Sequence, residues 1–220
     1  MTAAIHDGLR NRVYIVTGGT RGIGLAITRA IVQRGGRVVS VARVTPPSAG
    51  QEDNGSEEAG SVLFLQGNVA DPGWAPSTIE RTLEHFGHVG AYLIDARKCG
   101  RDCEGAIVNI ASDAGRRGTI GQAHYAASKA GLHALTVSAA REWGKYGVRV
   151  NTVSFGVVET AMTEPIRSER FAETYRKQIP LGRWSTPDEV APTVCHLLSS
   201  ESRYLTGEHI AVNGGLHINY

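Results

Sequence analysis

Short apolar runs alternate along this chain with segments whose apolar residues recur at helical spacing. The run at 13–16 is β-branched and aromatic, and it feeds Thr17-Gly18-Gly19-Thr20-Arg21-Gly22-Ile23-Gly24 before a helical pattern over 25–33. Further strands are predicted at Arg37–Ala42, after the Gly35-Gly36 helix stop, and at 61–65, 106–110, 148–153 and His209–Val212. Helices are predicted over 76–86, with Ile79, Leu83 and Phe86 on one face, and over Ala123–Trp143. A further helix runs to Leu198, with Thr186 as its N-cap and Pro187 at its first position. Alternating strands and helices predict an α/β protein, a doubly wound parallel sheet covered on both faces, in one domain spanning 1–220. Residues 44–60 break the pattern. They carry almost no apolar side chains and read as a surface loop where a crossover helix would be expected.

Composition narrows the picture. The chain has 220 residues, 41% hydrophobic and 20% charged, enough for an ordinary core. Its formal net charge of +2 gives no field that points to nucleic acid or membranes, and there is no basic stripe. No apolar run is long enough to span a bilayer, and the first residues lack the apolar centre of a signal peptide. A cytoplasmic location is the expectation. Three cysteines make no disulfide framework. Cys99 and Cys103 are four apart, but only His85 and His88 stand nearby as further ligands. Free thiols and no metal are expected.

A strand, a glycine-rich turn and a helix, in that order, form a Rossmann-type dinucleotide site. Gly18 suits the tight turn, Gly22 the approach of backbone to a pyrophosphate, and Gly24 the packing of helix near strand. The phosphates then meet free N–H groups and the positive helix end. The end of the second strand reads Val41-Ala42-Arg43. A site that binds both ribose hydroxyls places a carboxylate where Ala42 stands. Arg21 and Arg43, with no acid beside them, suit a 2′-phosphate, so NADP(H) is the expected cofactor.

About a hundred residues downstream, Tyr125 and Lys129 are four apart on the long predicted helix and share a face. Ser112 lies just past the strand at 106–110, at a sheet edge where ligands gather. A phenol titrating near ~10 is a poor acid–base catalyst at neutral pH, and a nearby ammonium lowers that value. The serine hydroxyl can hold a reacting oxygen while Tyr125 moves the proton and hydride passes between nicotinamide and carbon.

Thr17 to Gly24, Ile107-Val108-Asn109-Ile110-Ala111-Ser112 and Tyr125-Ala126-Ala127-Ser128-Lys129-Ala130-Gly131 resemble the short-chain dehydrogenase/reductase family. Val150-Asn151, Gly156 with Val158 and Thr160, Leu181-Gly182-Arg183, and Thr206-Gly207 leading to Gly214-Gly215 extend the resemblance over nearly the whole chain. It implies a Rossmann-like domain and nicotinamide-dependent chemistry on a small-molecule carbonyl or alcohol. Ser112 would orient substrate, Tyr125 act as acid/base, and Lys129 serve both Tyr125 and the nicotinamide ribose. Thr20, Ile23, and Asn68 with Val69, the last pair where the family has Asp-Val beside the adenine, join the cofactor-binding set. Gly156, Val158 and Thr160 would touch the nicotinamide end, and 157 and 159–175 would form a lid. Phe155 stands where the family has proline. A homo-oligomer, dimer or tetramer, is implied too.

One stretch departs from the family. Between Phe86 and Gly105 there are too few residues for both the fourth strand, with its Asn-Asn-Ala-Gly end, and the following helix that carries a catalytic Asn. Either 88–96 is the strand and the crossover helix is lost, or 90–104 is the remnant of the helix and a central strand is lost; the second fits better. Two functions follow. One is an active NADP(H)-dependent oxidoreductase. The other is a catalytically impaired homologue that binds nucleotide or a partner chain without turnover.

Overall fold

A computed structural model of the chain describes residues 7–44, 60–88 and 105–218. Their contacts divide the chain into two compact units, Met1–Tyr92 and Leu93–Tyr220. The first contains strands β1 (Val13–Thr17), β2 (Arg37–Ala42) and β3 (Val62–Gln66), with helices α1 (Gly22–Val32) and α2 (Trp74–Phe86). The strands form a parallel sheet in the order β1-β2-β3, with Val13 opposite Arg37 and Val38 opposite Val62. Val13, Val39, Val41 and Leu65 make one apolar cluster, closed by Trp74 and Phe86 of α2. Val38 and Ser40 face the other way on β2 and are also fully buried. A strand covered on both faces takes apolar or small residues on both, which is why 38–42 reads as a near-continuous run rather than an alternation.

The second unit holds β4 (Gly105–Ser112), α3 (Ala114–Arg117), α4 (Ala123–Trp143), β5 (Val148–Phe155), α5 (Glu164–Arg167), α6 (Glu169–Arg176), α7 (Pro187–Leu198) and β6 (His209–Val212). Its parallel sheet has the order β4-β5-β6. The register runs from Gly105 opposite Val148 to Ser112 opposite Phe155, and Phe155 in turn faces Val212. On one face, Ile107, Val148 and Val150 pack against Ala139, Ala140 and Trp143 of α4. Two polar links cross this interface. Asn109 Nδ2 and Thr152 Oγ1 donate to Thr136 Oγ1 at 2.8 and 2.7 Å, so no polar atom of the three is buried at the cost of its hydrogen bond. The opposite face belongs to α7, which buries Val190, Ala191, Val194 and Leu197. Just beyond it, Ser199 O and Ser202 Oγ accept from the Arg149 guanidinium at 2.9 Å each.

The α/β, Rossmann-like character is as predicted, and β2, α4 and β6 have the predicted bounds. β4 starts one residue before and ends two after its predicted 106–110, and β5 ends two after its predicted 148–153, because the ladder continues through Ser112 opposite Phe155. A parallel sheet lacking a central strand or its crossover helix was predicted. Among the described residues there are two three-stranded sheets, and no described strand joins them. Residues 89–104, where the sequence places a fourth strand or the remnant of its helix, lie outside the described residues, as do 45–59.

Candidate active site

In the first unit, all nine cofactor candidates lie at the carboxyl edge of the sheet. Gly18 N donates to Val41 O at 2.7 Å, so the turn leaves β1 still held to β2. Gly18 and Gly22 have φ of +74° and +52°, which glycine adopts without a Cβ penalty. A Cβ on Gly24 would stand 2.2 Å from Gly18 O, so α1 starts this close to the turn only because the side chain is absent. Arg21 is the N-cap of α1 and makes no side-chain cap bond. The first amides of the helix therefore face outward uncapped, a donor set that fits a pyrophosphate. Arg21 and Arg43 are exposed, while Thr20 and Ile23 are half-buried. Gln66 Nε2 donates to Arg43 O at 3.0 Å and fixes the backbone after β2. Asn68 and Val69 follow β3 and are exposed, with Asn68 Oδ1 accepting from Ala70 N at 3.2 Å.

Sequence reasoning passed over Gly19 in this turn. Its Cβ would lie 2.5 Å from Ser40 Oγ and 2.8 Å from Thr28 Oγ1, so it is the glycine wedged between β2 and α1.

In the second unit, Ser112 ends β4 and its Oγ accepts from Ala114 N at 3.3 Å. Tyr125 and Lys129 are half-buried on α4. Lys129 Nζ lies 5.7 Å from the centre of the Tyr125 ring, within cation–π range. The same ammonium donates to Ile110 O at 2.9 Å, two residues before Ser112. Burial lowers the Lys129 pKa from the ordinary 10.5. The long helix is brought close to α3 by Gly115. A Cβ there would stand 2.8 Å from Ala130 N and from the Lys129 carbonyl carbon. Gly156 follows β5. Val158 is 2% exposed and bridges to Ser185. Thr160 N donates to Thr163 Oγ1 at 3.2 Å, and Thr163 Oγ1 donates to Val158 O. Arg167 Nη2 donates to Thr160 O at 3.1 Å, so the segment after β5 is pinned along its backbone.

The residue after Ser112 is one that sequence reasoning missed. Asp113 is 3% exposed, and its Oδ2 accepts from Asn213 Nδ2 at 2.7 Å. Burial raises its pKa from 3.8, against the opposing pull of Asn213, Arg117, His217 and Arg116. An acid between a strand and a short helix looks like an ordinary cap, and only the fold reveals its partner. A cavity of about 230 Å³ lies beside Val157 and Asn213, with Ile179, Leu181, Trp184 and Val190 among its walls. Among the described residues no three His, Cys, Asp or Glu side chains gather as a metal site, and no helix is long and apolar enough to cross a membrane. Cys99 and Cys103 lie outside the described residues, and Cys195 is buried in α7.

Comparison with known proteins gives consistent results. The family model described as short chain dehydrogenase matches residues 12–96, and that described as Enoyl-(Acyl carrier protein) reductase matches 91–217. The chain is 33% identical over 251 residues to the 3-oxoacyl-[acyl-carrier-protein] reductase FabG of Vibrio cholerae, covering 96% of this chain and 99% of that one. It is 34% identical over 243 residues to the 3-oxoacyl-[acyl-carrier-protein] reductase of Rattus norvegicus, covering 94% and 99%. It is 33% identical over 246 residues to the acetoacetyl-CoA reductase of a Synechocystis strain, covering 96% and 98%. Each of these alignments is longer than the 220 residues of this chain, so the relatives carry residues without a counterpart here. Among solved structures, a short-chain dehydrogenase/reductase from Brucella melitensis, titled glucose/ribitol dehydrogenase, superposes with a TM-score of 0.82 at 25% identity. That match covers 98% of this chain and 100% of the other.

Proposed function

The chain belongs to the short-chain dehydrogenase/reductase family, and on that footing we propose that it is an NADP(H)-dependent oxidoreductase acting on a carbonyl or secondary alcohol. The observation that carries the reading is Lys129, whose ammonium is half-buried, bonded to the strand that ends in Ser112, and within reach of the Tyr125 ring. An ammonium so placed sets a positive charge beside the phenol that moves the proton. Tyr125 gives its proton to the substrate oxygen in reduction and takes it back in oxidation. Ser112 donates a hydrogen bond to the same oxygen. The nicotinamide, when bound, supplies or accepts the hydride.

Gly18, Thr20, Gly22, Ile23 and Gly24 hold the pyrophosphate through the uncapped start of α1. Arg21 and Arg43 bind the 2′-phosphate, Asn68 and Val69 border the adenine, and Lys129 serves the nicotinamide ribose. Gly156, Val158 and Thr160 border the nicotinamide. The protein works in the cytoplasm as a dimer or tetramer. A 3-oxoacyl thioester is the first substrate to test, because two of the relatives carry that chemistry in their names. The apolar cavity beside Val157 is consistent with an acyl substrate.

The test is an NADPH binding isotherm paired with turnover on 3-oxoacyl thioesters, ketones and alcohols. Saturable binding with turnover supports the reading. Binding without turnover selects the impaired homologue instead, a reading favoured by the residues that the relatives have and this chain lacks.

A further inference from the structure

Asp113, Gly156 and Asn213 occupy one row across the second sheet, one step beyond the last paired residues. Ser112 faces Phe155 and Phe155 faces Val212, so the next residues on the three strands are these three. The backbone holds the row in place, since Asp113 N donates to Phe155 O and Gly156 N donates to Val212 O, both at 3.2 Å. The outer members of such a row are two interstrand spacings apart, about 10 Å. Two short side chains nevertheless join them, through the 2.7 Å bond from Asn213 Nδ2 to Asp113 Oδ2. The bond passes over the end of the middle strand. The middle member is a glycine, and a Cβ there would stand 3.0 Å from both Cα and Cβ of Asn213.

Asn213 is committed on every side. Its Nδ2 also donates to His217 O at 2.9 Å, and its Oδ1 accepts from Gly215 N at 3.0 Å. Asp113 is not so well served. Its Oδ1 is buried and has no hydrogen-bond partner among the described residues. A buried carboxylate with one bare oxygen costs stability. A residue kept at such a cost beside a reactive group is expected where function, not folding, sets the choice.

We propose that Asp113 and Asn213 form a positioning strap that fixes the carboxyl edge of this sheet, and with it Ser112 and Gly156. The proposal rests on the reading of Ser112 as the group that holds the substrate oxygen. Asp113 touches neither substrate nor cofactor in this role. It acts through its covalent neighbour Ser112, and Asn213 acts through Gly156. Without the strap the ends of β4 and β6 are free to shift against β5, and a displacement of about 1 Å at a reacting group is enough for a hundredfold loss of rate.

The test uses Asp113→Ala, Asp113→Asn, Asn213→Ala and the Asp113→Ala/Asn213→Ala double variant in the full chain, with Ser112→Ala as reference. Asp113→Asn keeps an acceptor for Asn213 and removes the charge. In Asp113→Ala, kcat is expected to fall about ten- to hundredfold, while KM and the NADPH Kd stay within about twofold. Asp113→Asn should restore kcat to within about threefold of wild type, and the double variant should be no slower than the slower single. Amide hydrogen exchange over 110–118 and 154–158 should quicken in Asp113→Ala and return to wild type in Asp113→Asn. Unchanged exchange in Asp113→Ala overturns the strap, whether or not a substrate is found. Ser112→Ala inactive with Asp113→Ala at wild-type kcat overturns the strap alone. Turnover that survives Ser112→Ala overturns the reading of Ser112 itself, and the exchange data then still decide whether the strap exists.

Discussion

Lys129 Nζ donates to Ile110 O at 2.9 Å and so ties the first third of a 21-residue helix to the strand that ends in Ser112. The lysine has two tasks in one place. It keeps the helix register against the sheet, and it holds a positive charge 5.7 Å from the Tyr125 ring. Lys129→Ala is therefore expected to slow turnover and weaken NADPH binding together. Unaltered turnover with unaltered affinity would remove Lys129 from the site.

Tyr125→Phe keeps the ring and removes only the phenolic proton. Turnover is expected to fall by about 10²–10⁴, with the NADPH Kd within about twofold of wild type. Steady-state kinetics beside a fluorescence titration of NADPH separates the two quantities.

Cofactor choice is expected to turn on the end of β2. Ala42→Asp with Arg43→Ser places a carboxylate where it repels a 2′-phosphate and accepts from ribose hydroxyls. The ratio of NADH to NADPH affinity should rise by at least tenfold, measured for both cofactors at one fixed low salt. Tighter NADH binding by the unmodified chain would overturn the roles given to Arg21 and Arg43.

Gly115→Ala tests the contact that sets α3 against α4. The added methyl would meet backbone of Lys129 and Ala130 at 2.8 Å, and backbone cannot swing aside as a side chain can. A loss of about 1–3 kcal/mol in unfolding free energy is expected, read from denaturant midpoints. The shift would carry Lys129 with it, so activity should fall further than stability explains.

Acid stability should report on His209. Its pKa is lowered to about 4 by burial first, then by the charges of Arg116, His133 and His217. Its ring stands 4.9 Å from that of His133, and Nε2 meets Ser154 Oγ at 2.5 Å. The unfolded chain takes up this proton near 6.5, while the folded chain resists it down to about 4. Between those values the unfolded state binds more protons, so stability falls as pH drops through the window and levels off below it. In His209→Gln, the slope of the denaturation midpoint against pH between 6.5 and 4 should be shallower than in wild type. Equal slopes would assign the acid sensitivity to other groups.

Much of this was legible in the chain because buried parallel strands and a long helix advertise themselves. Arg37–Ala42 and Ala123–Trp143 have their predicted bounds because apolar content and spacing end where the elements end. Gly18 and Gly24 took their expected roles because a turn and a close approach leave few other choices. Gly19, Gly115, Asp113 and Asn213 were not legible in the same way. Each depends on a partner in another element, 100 residues away for Asp113 and Asn213, and no local pattern encodes that pairing.

The short last strand has a consequence for how the protein is made. β6 closes the free edge of β5, yet His209 follows Ser154 by 55 residues. At ordinary translation speeds of about 5–20 residues per second, β5 waits several seconds for its neighbour. Through that interval Val148–Phe155, rich in β-branched residues, presents an unpaired ladder to any nascent chain on the same messenger. A ribosome that stalls before Glu208 would release a sticky fragment instead of an inert one. Slower synthesis of the stretch between the two strands lengthens that exposure.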